Sequence, residues 1–290
     1  MELFNPMKQS GTIRNHLLSI LIVAFFPARG TSIIFDLGDV LIETKYLQSV
    51  LNIGPLKLVS YALTLKNPFA CHTKLFQFLD SLEPHQTELI VNDPYGNRLP
   101  QLIYNWLSGS ISSEKILTVI TNNAYKLDNW IERLLILSLA HTIFDPETFA
   151  KTRYIIPEGI EFVKECKKAG HTVYILSNWD PESFTIMKNM YPTFFNLFDG
   201  VIISGDSGLI KPDPEIYRYL LKKFHLIPHE CILIDDRPEN ITAAQKMGIS
   251  GILYTKRLGI FLFKQPDFDT VRDKINLIES SKNFPALINY

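Results

Sequence analysis

Cysteine is scarce in this chain and basic residues never cluster, and each shortage removes a class of function. The three cysteines, Cys71, Cys166 and Cys231, lie far apart and form no Cys-x-x-Cys pair. That spacing supplies neither a zinc site nor a disulfide framework. The 29 Lys and Arg are matched by 30 Asp and Glu, for a formal net charge of −1. With no basic run and no aromatic–basic interleaving, nucleic acid is not an expected partner. The seven histidines are scattered and form no His-Glu-x-x-His pattern, so they read as structural or solvated groups and not as metal ligands. What remains is an ordinary globular composition. At 290 residues and 46% hydrophobic, the chain is long enough for one large domain or a core with a second module.

The apolar run Leu17 to Phe26 has ten residues, too few to span a bilayer as a helix. Lys8 and Arg14 precede it and Pro27-Ala28-Arg29-Gly30 follows. Charge, apolar run and small residues in that order are the parts of a secretory signal peptide, although Arg29 interrupts the small residues. Residues 1–30 therefore carry two readings: a cleaved leader on an exported or periplasmic protein, or an uncleaved extension of a cytoplasmic one.

Directly afterwards, Ser32-Ile33-Ile34-Phe35 suits a buried strand that stops at Asp36-Leu37-Gly38-Asp39. A short apolar run without alternation fits a parallel sheet covered on both faces. Residues 44–153 lack a strong strand signal. Leu51 to Leu65, Ser113 to Ala124 and Asp128 to Phe144 show apolar spacing near the helical period. Ser112 and Ser113 with Glu114 and Lys115 make a helix start, and Pro84, Pro94, Gly96 and Pro100 mark loops. This is a helical module inserted between the first strand and the next.

From residue 157 the pattern alternates. Helices are expected over Pro157 to Ala169, Pro181 to Met190, Glu215 to Phe224, Pro238 to Met247 and, in the tail, Phe268 to Ser280. Strands are expected over Thr172 to Leu176, Gly200 to Ser204, Cys231 to Ile234 and Gly251 to Tyr254. Alternation of this kind predicts an α/β fold with a parallel, Rossmann-like sheet. Ligands bind such sheets outside the carboxyl ends of the strands. Asp36, Ser177 and the pair Asp235-Asp236 each follow an expected strand directly, and Lys211 lies in the loop after another. These groups span two hundred residues of sequence yet all project from one sheet edge, which points to a site.

Phe-Asp-Leu-Gly-Asp-Val-Leu (35–41), Leu-Ser-Asn (176–178), Leu-Ile-Lys-Pro-Asp-Pro-Glu-Ile-Tyr (209–217) and Ile-Asp-Asp-Arg-Pro-Glu-Asn (234–240) together resemble the four motifs of the haloacid dehalogenase (HAD)-like hydrolase superfamily. The likeness is to the branch with an Asp-Leu-Gly first motif and a helical cap inserted after it, and Trp106 to Ser112 resembles a cap segment of that branch. The resemblance implies a core of residues 31–43 and 154–255, a cap of 44–153 and a tail of 256–290 with one helix.

The chemistry this implies is hydrolysis of a small phosphorylated metabolite. Asp36 supplies a carboxylate nucleophile and forms an aspartyl-phosphate that water hydrolyses. Two anions approaching one another need a cation between them. Mg²⁺, which favours oxygen ligands and often takes only one or two carboxylates, suits Asp36 and Asp236, with Asp235 a ligand or an outer group. In the resembling family the backbone carbonyl of the residue at Gly38 is a further ligand. Ser177 and Lys211 supply phosphate donors, joined by the backbone N–H groups of Leu37 and Asn178. Asn240, one helical turn beyond Asp236, is placed to orient Lys211 or a metal-bound water. Trp179 either lines the same opening or belongs to the core.

One position departs from the family pattern. Most phosphatases of the superfamily carry a second aspartate, a general acid and base, two residues after the nucleophile. Here that residue is Gly38, and Asp39 follows, as a substitute acid or as a turn or hinge. General acid–base catalysis is typically worth about 10²–10⁴ in rate, so a slow to moderate phosphatase favouring good leaving groups is expected. A C–halogen hydrolase would use the same nucleophile without Mg²⁺, and the Asp235-Asp236 pair argues against it. A phosphomutase would need a proton shuttle at Gly38. The alternative outside enzymes is a phosphate- or partner-binding protein of this fold.

Overall fold

The computed structural model describes residues 30–65, 71–86, 90–92, 96–258 and 264–283. The expected leader, apart from Gly30, and Pro94 lie outside the described residues. Among the described residues no helix is long and apolar enough to cross a membrane.

The strand expected at Ser32–Phe35 (β1) is the middle of a five-stranded parallel sheet. Two short strands follow the insertion points, β2 (Ile42–Thr44) and β3 (Arg153–Ile155), and pair antiparallel with one another. The remaining sheet strands are β4 (Thr172–Ser177), β5 (Gly200–Ile203), β6 (Cys231–Asp235) and β7 (Ser250–Leu253). Their order is β5-β4-β1-β6-β7. Ile33, Phe35, Val173, Ile175, Ile232 and Ile234 enter one apolar cluster. Their strand neighbours Ile34, Tyr174, Leu176, Cys231 and Leu233 enter another. Successive side chains point to opposite faces of a sheet, so both faces are covered, which is why these strands read as unbroken apolar runs.

Helices α1 (Tyr46–Ile53), α2 (Pro55–Leu65), α3 (Cys71–Leu82), α4 (Gln101–Leu107), α5 (Ser113–Ala124) and α6 (Trp130–Phe144) lie between β2 and β3. Leu75, Trp106, Ile116, Ile120, Leu135 and Phe144 are among the buried residues of a third apolar cluster that these helices share. The expected helix over 51–65 is broken at Gly54, whose φ of 96° is left-handed. The expected starts at Ser112 and near Asp128 are seen in detail. Ser112 Oγ accepts from Lys115 N at 3.2 Å, and Asn129 caps α6 by accepting from Ile131 N and Glu132 N. Then α7 (Pro146–Lys151) sends Ala150 into the sheet's own cluster.

On one face of the sheet pack α8 (Pro157–Lys168), α9 (Pro181–Met190) and α10 (Pro192–Phe195), followed in the chain by α11 (Ser204–Ser207). On the other pack α12 (Pro214–Lys223) and α13 (Pro238–Lys246). The tail helix α14 (Phe268–Asn283) returns to the first face through Phe268, Val271 and Ile275.

The helical insert is fastened over the carboxyl ends of the strands. Ser204 Oγ donates to Leu107 O at 2.6 Å, and Ser113 N donates to a Glu182 carboxylate oxygen at 2.8 Å. Gly109 has φ +72°, and a Cβ there would stand 2.2 Å from Gly205 O. Only glycine allows the two backbones to approach so closely.

Candidate active site

Three strand ends and one loop deliver the charged groups. Asp36 follows β1 and continues its ladder, donating from N to Ile234 O at 2.9 Å. Ser177 closes β4. Asp235 is the last residue of β6, not the residue after it: its pairing with Leu253 extends the strand by one position beyond the expected end. That single step explains the division of labour in the Asp-Asp pair. As a strand residue, Asp235 alternates with Ile234 and points to the α12/α13 face with Leu233. It is fully buried. Asp236, beyond the strand, faces a cavity instead.

Lys211 reaches this group from the loop after α11. Its side chain is 1% exposed, with Nζ 2.9 Å from Asp36 Oδ1 and 2.6 Å from Asp235 Oδ2. A buried ammonium survives only between partners, and here burial acts against the charge while Asp235 and Asp36 outweigh it and raise the pKa. Asp235 is itself saturated: Asn240 Nδ2 donates to its two oxygens at 2.9 and 3.1 Å, and Arg237 N donates at 2.9 Å. Asn240 thus holds the partner of Lys211, where the sequence placed it against Lys211 or a metal-bound water. Tyr217, in α12, donates to Asn240 O at 3.0 Å and ties the two helices that frame the network. The side chain of Asn178 clamps the main chain of Lys211, donating to its carbonyl at 2.9 Å and accepting from its N–H at 2.8 Å. With its side chain held in this clamp, the backbone N–H of Asn178 is the group expected to serve a ligand.

Asp36, Asp235 and Asp236 bring one carboxylate oxygen each to within 4.8 Å of one another. Burial pushes the Asp36 carboxyl above its ordinary range, and the Asp235 charge adds to this, against Lys211 and the Ser177 hydroxyl. Asp236 is pushed up to about 7 by burial, then by the charges of Asp36 and Asp235, with Arg237 opposing. Lys211 serves Asp36 and Asp235 and only the peripheral Arg237, at 3.5 Å, opposes the charge on Asp236, so a divalent cation with oxygen preference would offset the remaining repulsion. Asp36 and Asp236 fit as its ligands, Gly38 also lines the cavity, and Asp235 stands behind them.

Asp39 has φ 55°, a left-handed turn conformation that aspartate tolerates. Its carboxylate pairs with Lys256 Nζ at 3.1 Å. Lys256 also meets Glu43 Oε1 at 2.6 Å, and Tyr154 donates to the same carboxylate group. Burial acts to raise the Glu43 pKa, but Lys256 and Tyr154 win and hold it low. Lys256, Glu43 and Tyr154 were not singled out in the sequence. Lys256 follows the end of β7 closely, so the strand-end rule that found Asp36 would also have found it.

Above these groups lies a cavity of about 360 Å³, shared by Asp36, Ser177, Lys211 and Asp236 on one side and the helical insert on the other. Trp179 borders a smaller neighbouring cavity but is 5% exposed, packs edge-on to Phe149 and Phe184, and donates to Ser183 Oγ at 2.9 Å. It belongs to the core as much as to the opening.

A family model for haloacid dehalogenase-like hydrolases matches residues 31–248. The chain belongs to the haloacid dehalogenase-like hydrolases. Among curated relatives of this HAD-like hydrolase, a sesquiterpene phosphatase of Aspergillus oryzae is 35% identical over 96 residues, covering 33% of this chain and 48% of that protein. A D-ribitol-5-phosphate phosphatase of Bacteroides thetaiotaomicron is 30% identical over 96 residues, covering 31% and 45%. The chain thus spans about half the length of these curated relatives. A HAD family enzyme of the same Bacteroides species, solved with magnesium and inorganic phosphate, superposes with a TM-score of 0.52 at 18% identity, over 78% of this chain and 94% of that one. That likeness establishes the α/β core with its parallel sheet.

Proposed function

We propose that this HAD-like hydrolase is a Mg²⁺-dependent phosphatase of a small phosphorylated metabolite, working through an aspartyl-phosphate at Asp36. The observation that carries the reading is the buried Lys211, held at 2.9 Å from Asp36 and 2.6 Å from Asp235 beside a half-buried Asp236. A C–halogen hydrolase needs the Asp36 nucleophile but has no use for Asp236 converging on it within 4.8 Å. The phosphatase relatives and the neighbour solved with magnesium and phosphate support the same reading.

The substrate phosphate is received by the Ser177 hydroxyl, the Lys211 ammonium and the N–H groups of Leu37 and Asn178. Lys211 also orients the Asp36 carboxylate along its approach. Bound between Asp36, Asp236 and the Gly38 carbonyl, Mg²⁺ would offset the repulsion between phosphate and carboxylates. An Asp36 oxygen bonds to phosphorus while the bond from phosphorus to the alcohol oxygen breaks, and the electron pair leaves with that oxygen. Gly38 offers no proton, so the departing oxygen is protonated by water. In the second step a water oxygen attacks phosphorus and the Asp36 carboxylate is released; one proton of that water neutralises the hydroxide left by the first step, and inorganic phosphate leaves with the other. The insert is read as the cap that shields these steps from bulk water.

The test is phosphate release from aryl phosphates by the purified protein. Release should require Mg²⁺, stop with chelator, and fall by at least about 10³ in Asp36→Asn and Lys211→Met. Activity that persists without divalent metal or in Asp36→Asn would contradict the proposal.

A further inference from the structure

The relatives' named substrates run from a sesquiterpene to a sugar-alcohol phosphate, so the organic group must be read from the cavity. The charged part of its wall comes from the sheet side: Asp36, Asp39, Lys211, Asp236, Arg237 and Glu239. The wall given by α3, α4, α6 and α7 is Phe76, Ile103, Trp106, Ile143 and Phe149, with Leu99 just before α4. Trp106 has no N–H to offer a ligand, because its Nε1 donates to Ser113 Oγ at 3.0 Å. Among the described residues, Asn92 is the polar side chain that the insert adds to this cavity. Arg153 lies in the smaller neighbouring cavity of about 180 Å³, stacked on the Phe149 ring at 3.9 Å and donating to Thr152 Oγ1.

Resting on the phosphatase reading, we infer that the substrate is the phosphate monoester of an apolar alcohol, its phosphate on Asp36 and its hydrocarbon body against the insert. The cavity's volume lies within the usual range for small-molecule sites, about 300–1,000 Å³. A sugar or amino-acid phosphate would bring several hydroxyl, ammonium or carboxylate groups against this wall, and with Asn92 as the polar side chain there most would lose water without gaining a partner. A hydrocarbon body loses nothing there and buries apolar surface on Phe76, Ile103 and Ile143.

The experiment compares straight-chain alkyl phosphates from ethyl to octyl, with sugar phosphates and phosphoserine as polar controls, in the Mg²⁺-loaded full chain. In parallel, binding of the matching alkylphosphonates is measured by calorimetry. Burial of one methylene corresponds to about a fourfold gain, so kcat/KM and phosphonate affinity should climb by about three- to fourfold per carbon until the cavity is filled. Polar controls should be turned over about 100-fold less well than hexyl phosphate. Ile103→Asn and Ile143→Asn should flatten both series. Phosphate release with no chain-length dependence, or with sugar phosphates preferred, would overturn the apolar assignment and leave the phosphatase reading standing. No release at all, with phosphonate affinity still climbing, would support the apolar site and overturn the hydrolytic reading. Flat phosphonate binding together with no release would overturn both.

Discussion

Restoring a carboxylate at position 38 tests the idea that the site works without its own acid. A Cβ built on Gly38 meets nothing within 4 Å, and the residue lines the cavity at the end of β1. Gly38→Asp therefore places its Cβ in open space, on the wall of the cavity. The new carboxyl would join Asp36 and Asp236, whose pKa values are already raised by burial and by neighbouring negative charge. Two like charges about 4 Å apart at an effective dielectric near 20 repel by about 4 kcal/mol. This favours the protonated form of the newcomer, the form an acid needs. A well-placed general acid is worth about 10²–10⁴. An unoptimised one should recover the lower part, so kcat/KM for hexyl phosphate should rise by about 10–100-fold. Nitrophenyl phosphate, whose leaving group needs no proton, should change by less than about threefold. The assay is a leaving-group series in saturating Mg²⁺, in which the dependence on leaving-group acidity becomes shallower in the variant. Equal gains on both substrates, or none on the alkyl ester in a folded variant, would refute the reasoning.

Two further outcomes follow from the carboxylate network. Asp235→Ala leaves the buried Lys211 with Asp36 as its ion-pair partner and strips the Asn240 amide of its acceptor, and should cost about 3 kcal/mol in urea unfolding, with Asp235→Asn losing less. The Asp236 pKa is raised from 3.8 to about 7, so the folded chain binds the extra proton. Metal-free stability should then fall as pH rises through that window and level off above it, by up to about 4 kcal/mol. Asp236→Asn should reduce the slope in chelator to the part that the raised Asp36 carboxyl contributes. Mg²⁺ affinity, measured by calorimetry, should climb about tenfold per pH unit up to about pH 7, because the metal competes with that proton. A flat profile would place Asp236 outside the metal site.

Most of the sheet was legible because its central strands are buried on both faces and end abruptly in polar residues. Cys231-Ile-Leu-Ile234 and Asp36 illustrate this. The last strand residue was not legible: whether Asp235 extends β6 depends on its pairing with Leu253, a contact that local pattern does not encode. The pair β2 and β3 was hidden for a related reason. Ile42-Glu43-Thr44 and Arg153-Tyr154-Ile155 are three residues each and mixed in polarity, too short for a periodic signal. Lys256 pairs with Asp39 across 217 positions, so its role emerges only when both strand ends are in place. The apolar wall of the cavity was equally invisible. Phe76, Ile103 and Ile143 sit on helical faces whose spacing is satisfied by packing among the helices alone.

The central claim is that Asp36 becomes phosphorylated during turnover. The direct measurement is to quench the working enzyme, Mg²⁺ and substrate present, with borohydride, then map the reduced residue by peptide mass spectrometry. An acyl phosphate at Asp36 is reduced to homoserine, so the account predicts homoserine at position 36, dependent on substrate and on Mg²⁺, and absent in Lys211→Met. Full turnover with unmodified Asp36, or with the reduced residue at Asp39 or Asp236, would contradict it.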